Sequence, residues 1–341
     1  LLSTACFAQS HWKTSTDPTS AGRDIHAVSF YDENNGCICA DFGSGTRIFR
    51  TTNGGSSWSE LVYISGSILQ AICFTSKDTG YAFGDYDAKI RTVDGGRTWS
   101  KPSTGNHSWN GASFVSSSTG YVFGLGPDSK QRIQKTSDGG QSWIDVSSNL
   151  FQTSSYRDIA FINERIGFVS GDEFILKTSD GGASWRAVYS GGVSSGTNIW
   201  DIEILKNGTI LAVGDEGKIC RSTDQGDTWK VSSLGATTNG LINALYSVSF
   251  STSGYGWIVT RAGQVFESRD NGMTWATDTT FSRSPGFPRY YQILAISGDQ
   301  AYLAGPQGLL ARHPAIFPGV TDNENQLPMG FALGQNFPNP F

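Results

Sequence analysis

The chain has 341 residues, with 25 Lys and Arg against 30 Asp and Glu, for a net charge of −5. Charged residues make up only 16%, while Gly (42), Phe (20), Tyr (12) and Trp (10) are abundant. This excludes a helical bundle, a disordered chain and a generic nucleic-acid binder, which needs a basic footprint. It points instead to many short strands joined by tight turns.

Reading from the start, Leu1 to Ser10 (LLSTACFAQS) has small residues Cys6 and Ala8 just before Gln9. Residues 1–8 are therefore expected to be the end of a signal peptide. No stretch of about 20 apolar residues follows, so no membrane-spanning helix is expected. Cys37, Cys39, Cys73 and Cys220 lack CxxC spacing, which argues against zinc. A disulfide from Cys37 or Cys39 to Cys73 is compatible with an extracellular setting. Buried free thiols fit their apolar strands better.

The next signal is a repeat. TTNGGSSW ends at Trp58, TVDGGRTW at Trp99, TSDGGQSW at Trp143, TSDGGASW at Trp185, STDQGDTW at Trp229 and SRDNGMTW at Trp275. All share one template: Ser/Thr, any, Asp/Asn, any, Gly, any, Ser/Thr, Trp. The carboxylate or amide side chain (Asn53, Asp94, Asp138, Asp180, Asp224, Asp270) is expected to turn back onto nearby backbone amides. Gly supplies positive φ, and the Trp is a large apolar plate that pins the hairpin. Copies spread along a repeat array do not converge on one point, so these acids read as structural rather than catalytic.

Each box sits within a recurring set of strands. A first strand reads HAVSF (26–30), QAICF (70–74), NGASF (110–114), RDIAF (157–161), WDIEI (200–204) and YSVSF (246–250). A second follows a Gly-containing turn, as in GYAFG (80–84) and GYVFG (120–124). A third runs into the box, as in KICRS (218–222), and a fourth leaves from the Trp, as in WSELVY (58–63). Four strands per unit of about 40–45 residues is the period of a propeller blade. A last unit (YQILAI 291–296, AYLAG 301–305, GLLAR 308–312) lacks box and fourth strand, whereas HWKTST (11–16) near the start looks like a fourth strand. The expected fold is all-β: a seven-bladed β-propeller of four-stranded antiparallel blades over residues 9–313. The N-terminal strand closes the last blade, with Trp12 in the place of a box Trp.

The box resembles the Asp-box, or BNR repeat. Its spacing and the residues before it, notably VGDEGKICRSTDQGDTW (213–229) and FGSGTRIFRTTNGGSSW (42–58), are similar to the YCF48/HCF136-like photosystem II assembly factors. The resemblance covers about 300 residues and implies the propeller fold. It is poorly specific for function, because Asp-boxes also occur in sialidases, glucanases and sortilin-like receptors. The net acidic chain lacks the basic patch of the assembly factors, so their function is not carried over. After His313, residues 314–330 read as a linker, and FALGQNFPNPF (331–341) resembles the start of a type IX secretion sorting domain. That implies contact with secretion machinery and a secreted or outer-membrane cell-surface location.

Aligning the first strands places His26, Gln70, Asn110, Arg157, Trp200, Tyr246 and Gln292 at the mouth of the central channel, with Trp109, Tyr156 and Tyr291 one position earlier. Aromatics beside amides and Arg suit a glycan or protein ligand. Loops on the same face carry Asp41, Asp85, Asp87, Asp128, Asp172, Glu173, Asp215 and Glu216. Such a ring could take Ca2+, although solvated turn residues are the simpler account; no other cofactor is expected. The reading is a non-enzymatic binding propeller. The alternative is a glycoside hydrolase of sialidase-like or other Asp-box type. For a sialidase, Arg23, Arg157, Arg261 and Arg289 are the candidate arginines and Tyr246 and Tyr291 the tyrosines, but its FRIP-like motif is absent. The four histidines, His11, His26, His107 and His313, show no metal-ligand spacing.

Overall fold

The first strand of each unit carries the densest apolar run, and it is buried nearly throughout, as in Ile25–Phe30, Leu69–Phe74 and Ile199–Ile204. A strand this apolar must be covered on both faces. A ring of blades provides that cover, because the first strands of neighbouring units pack against one another in a closed cycle. The computed structural model describes residues 12–14, 18–19, 22–100, 105–147, 155–190, 197–234, 244–278 and 292–313. The expected signal peptide, linker and sorting tail lie outside these residues.

Seven antiparallel sheets form the blades, each an up-and-down meander. Blade 1 consists of Ile25–Phe30, Gly36–Phe42, Gly45–Thr51 and Ser59–Ser65. Blades 3 to 6 follow the same order over 108–145, 156–190, 199–233 and 245–278. Blade 2 shows three strands among the described residues, Leu69–Phe74, Gly80–Gly84 and Lys89–Thr92. Along its edge Ser100 N donates to Arg91 O at 2.8 Å. Blade 7 takes Gln292–Ser297, Gln300–Ala304 and Leu310–His313 from the end of the chain, and Lys13–Thr14 pairs antiparallel with Leu310–His313. The N-terminal strand therefore closes the ring as expected, covering an edge that would otherwise be unpaired. Trp12 is buried between blades 6 and 7 beside Trp257, and its Nε1 donates to Asp278 Oδ2 at 2.8 Å.

The six boxes lie at the opposite end of the blades from the channel mouth. In each, the acid or amide bonds the residues around it. Asp138 Oδ1 accepts from Ser142 N (2.9 Å) and from the Thr136 hydroxyl (2.8 Å), while Gly140 N donates to Thr136 Oγ1 (2.8 Å). The Ser142 hydroxyl, which donates to Asp138 Oδ2 at 2.6 Å, then Ser142 N and the Thr136 hydroxyl, hold Asp138 down at about 2. The turn holds two successive residues at positive φ, and the first need not be Gly: Gln225 and Asn271 adopt 57° and 59°. The second is Gly for a spatial reason as well, since a Cβ on Gly140 would stand 2.9 Å from the Tyr81 ring of the preceding blade. Tyr81 also donates its hydroxyl to Gly139 O at 3.0 Å. Five box Trp meet a core Phe of their own blade edge-on, as Trp185 meets Phe161 at 6.0 Å, and Trp229 meets Phe168 of the preceding blade at 6.2 Å. Each box is thus a clamp between blades.

A second set of bonds ties the first strands together. Ser29 Oγ accepts from Phe74 N, Ser113 Oγ from Phe161 N, Asp158 Oδ2 from Ile202 N, Asp201 Oδ2 from Val248 N, Ser247 Oγ from Ile293 N and Gln292 Oε1 from Val28 N, at 2.7 to 3.3 Å. Each reaches from one blade to the next, satisfying backbone donors that the in-blade ladder leaves over. The four described cysteines are buried free thiols; burial pushes Cys37 up to about 12.

Candidate functional site

At the mouth end, the pairing of first and second strands skips one residue in blades 1 to 6. The skipped residues are His26, Gln70, Asn110, Arg157, Trp200 and Tyr246. A bulge residue of this kind is released from the alternation and re-aimed. All six are half-buried, whereas the residue before each one (Ile25, Leu69, Trp109, Tyr156, Ile199, Leu245) is buried. The sequence alignment therefore selected the bulge column.

Three residues expected at the mouth are buried instead. Trp109 and Tyr156 do not face the mouth; they lie in the core between blades, because a residue adjacent to a bulge residue points into the sheet packing. Gln292 is also buried: it pairs with Ala304 as Asp201 pairs with Val213, at the register one residue past the bulge position, so its side chain turns inward and accepts from Val28 N. Tyr291 lies outside the described residues.

Blades 4 to 6 build the most organised part of the mouth. The Trp200 indole has the Arg157 guanidinium 4.4 Å from its ring centre and the Tyr246 ring stacked at 4.6 Å and 17°. These two come from the blades on either side of blade 5, so they cover the indole from opposite sides. Arg157 Nη2 is held by Asp172 Oδ1 and Asn198 Oδ1, both at 3.1 Å. Asn198 donates through N and Nδ2 to Asp215 Oδ2 (2.7 and 2.8 Å), and Trp200 Nε1 donates to Asp215 Oδ1 (2.7 Å). The result is one column, Arg157–Trp200–Tyr246, locked from behind by two aspartates and an asparagine.

A similar column stands at blades 2 and 3. Lys89 Nζ lies 4.4 Å from the Trp109 ring centre, His107 stacks on Trp109 at 4.9 Å and 5°, and Trp109 Nε1 donates to Asp87 Oδ1 at 2.7 Å. Burial lowers the Lys89 pKa, against the pull of Asp87. Sequence reading did not single out Lys89, His107 or Asn198 for these roles. The usable signal was Asp at one register after Gly in blades 2, 4 and 5.

The acidic loops are mostly committed to partners. His26 faces Asp41 at 2.9 Å, Ser108 donates to Asp85, Arg132 Nη2 donates to Asp128 at 2.8 Å, and Glu173 accepts from Thr197 N at 3.2 Å. Glu216 is exposed at a positive φ of 61°. Among the described residues no group of three His, Cys, Asp or Glu is placed to hold a metal ion. This geometry favours paired turn carboxylates over a Ca2+ ring. A closer carboxyl pair does exist, Asp158 and Asp201, directly after Arg157 and Trp200 in the chain. Both are buried. Burial pushes both upward, and Asp158 rises further because Asp201 adjoins it. The pair is sealed from solvent, so it offers no acid and base to a sugar.

No family model matches the chain. It is 22% identical over 310 residues to the photosystem II assembly lipoprotein Ycf48 of Picosynechococcus sp., covering 75% of this chain and 87% of that protein. It is 26% identical over 192 residues to the photosystem II assembly protein Ycf48 of Thermosynechococcus vestitus, covering 53% of this chain and 50% of that protein. Its structure superposes on that of YCF48 bound to D1 peptide with a TM-score of 0.69 and 19% identity, over 91% of this chain and 98% of that one.

The fold is that of a YCF48-like seven-bladed propeller. The expected secreted or outer-membrane location is overturned by these findings. Both curated relatives are cyanobacterial photosystem II assembly proteins.

Proposed function

We propose that this propeller is a binding scaffold that captures a segment of another protein at its channel mouth during assembly of a larger complex. The observation that carries the reading is the preorganised Arg157–Trp200–Tyr246 column, held by Asp172, Asn198 and Asp215 on rigid strands. Preorganised, half-buried aromatic and Arg side chains are the groups that anchor protein segments. The similarity to YCF48, one structure of which holds a D1 peptide, agrees with a peptide ligand. The sugar reading loses support, since both faces of the Trp200 indole are already covered. Hydrolysis loses support as well: the mouth carboxylates hold their own donors, and the closest pair is sealed.

The test is binding of a random 12-residue peptide library to the immobilised chain and to its Arg157→Ala and Trp200→Ala variants. Peptides retained by the wild type and lost by both variants, with unchanged far-UV spectra, would support the reading. Equal retention by all three would move the binding surface away from the mouth.

A further inference from the structure

The bulge residues of blades 1 to 6 follow one another around the mouth, and four of the six side chains have a partner. His26 faces Asp41 at 2.9 Å, Arg157 is held by Asp172 at 3.1 Å, Trp200 by Asp215 at 2.7 Å, and Tyr246 stacks on Trp200 at 4.6 Å. Gln70 and Asn110 differ. Both are half-buried, both are released from the first-strand pairing by the bulge, and neither carboxamide has a hydrogen-bond partner among the described residues. They belong to adjacent blades, between His26 on one side and Arg157 on the other. Their backbone is fixed, because Leu69 and Ala71 around Gln70, and Trp109 and Gly111 around Asn110, are buried.

The chemistry of a ligand for this pair follows from the amide group. A carboxamide offers a carbonyl acceptor and an NH2 donor and carries no charge. The neighbouring charged groups are already engaged, His26 with Asp41 and Arg157 with Asp172. An ionic side chain therefore finds no free counter-charge among these bulge residues. A main-chain N–H and C=O are the complement of an amide donor and acceptor, and the two of one residue point to the same side of an extended chain. A segment laid across the mouth would also take the two amides out of water. A covered amide left unpaired costs more than one hydrogen bond gains, so the covering segment must present a donor and an acceptor there.

We propose that Gln70 and Asn110 form a main-chain clamp: together they accept from the N–H and donate to the C=O of one residue of the bound protein segment, whatever its side chain. This deepens the reading that the mouth takes a protein segment and rests on it. The experiment extends the library selection. The tightest selected peptide is remade with an N-methyl group at each residue in turn, which removes one main-chain N–H at a time. Each peptide is titrated against wild type and the Gln70→Met/Asn110→Leu double variant, and both proteins are followed through thermal unfolding.

Neither amide bonds anything among the described residues, so the double variant should keep the wild-type unfolding midpoint. At one position N-methylation should weaken wild-type binding about 3- to 10-fold and double-variant binding less than about 2-fold, the range for a net hydrogen bond between uncharged groups. A conformational effect of the methyl group acts on both proteins and cancels. The side chain at that position should vary among the selected peptides. An N-methyl scan identical in the two proteins, a side chain fixed at the sensitive position, or a lowered midpoint in the double variant would overturn the clamp while leaving the mouth a peptide site. Retention of no peptide by the wild type would overturn the scaffold reading and the clamp with it.

Discussion

The two indole columns are built from the same parts and end in opposite roles. In both, a cation lies over a Trp, a second ring stacks on it, and the indole N–H is held by an Asp at 2.7 Å. Trp109 is fully buried; Trp200 is half-exposed at the mouth. The difference is one residue of register: Trp109 stands before the bulge residue Asn110, whereas Trp200 is the bulge residue of its own blade. One extra residue switches a side chain from the packed face to the channel face. The same chemical assembly is therefore a piece of core at blades 2 and 3 and a candidate binding surface at blades 4 to 6.

The strongest way to break the comparison is to delete each indole. Trp109→Ala should destabilise the chain by about 3–5 kcal/mol, the range for a buried Trp truncated in a core. Trp200→Ala should cost about 1–2 kcal/mol, because the half-exposed indole has less apolar area to lose. Urea unfolding of the two variants checks this, and equal losses would remove the distinction drawn from the bulge.

The next effect comes from what underlies each column. At the register just after the bulge residue, Trp200 is followed by Asp201 and its partner Asp158, whereas Asn110 is followed by Gly111. Glu203, on the same strand as Asp201, is also raised, by burial and then by Asp201. A carboxyl raised in the folded state binds its proton more tightly there than in the unfolded chain. Its stabilisation is present below the unfolded value of about 3.9 and is lost as pH rises through the folded one, about 6 for Asp201. Stability should thus fall from pH 5 to pH 7, and Asp201→Asn should flatten that slope. The box acids act with opposite sign: Asp94 and Asp138, held at about 2, stabilise above the unfolded value and lose that contribution as pH falls through about 2. Thermal unfolding from pH 2 to 8, with Asp201→Asn and Asp138→Asn in parallel, separates the two limbs.

The smallest effect concerns the cations. Lys89→Met should cost roughly 1–2 kcal/mol, since its ammonium is largely desolvated over Trp109. Arg157→Met should cost about 0.5–1 kcal/mol, because its side chain is 29% exposed. A double-mutant cycle of each cation with its Trp, read by urea unfolding, isolates the pair. A larger coupling at Arg157 than at Lys89 would reverse the ranking.

Much of this was legible in the sequence because the repeat is local. Six boxes in phase, an apolar first strand before each, and an N-terminal segment with the look of a missing fourth strand carry the blade count and the closure. The box turn was readable down to its hydrogen bonds, since Asp138, Ser142, Thr136 and Gly140 lie within seven residues of one another. Strand alignment also picks out the bulge residues of blades 1 to 6. Trp109 beside Asn110, and Tyr156 beside Arg157, do not share a face with those neighbours, contrary to the expectation from the alignment. Consecutive strand residues point to opposite faces, and that alternation was the unused signal.

The sequence by itself determined the architecture, because every blade repeats the same short-range instructions. Tertiary structure decided the site. The bulge depends on how first and second strands pair, the Arg157–Trp200–Tyr246 column on three blades meeting, and the Asp158–Asp201 pair on two strands 43 residues apart lying side by side. None of these is a property of any one repeat. Each arises because the closed ring fixes which side chains of neighbouring blades meet.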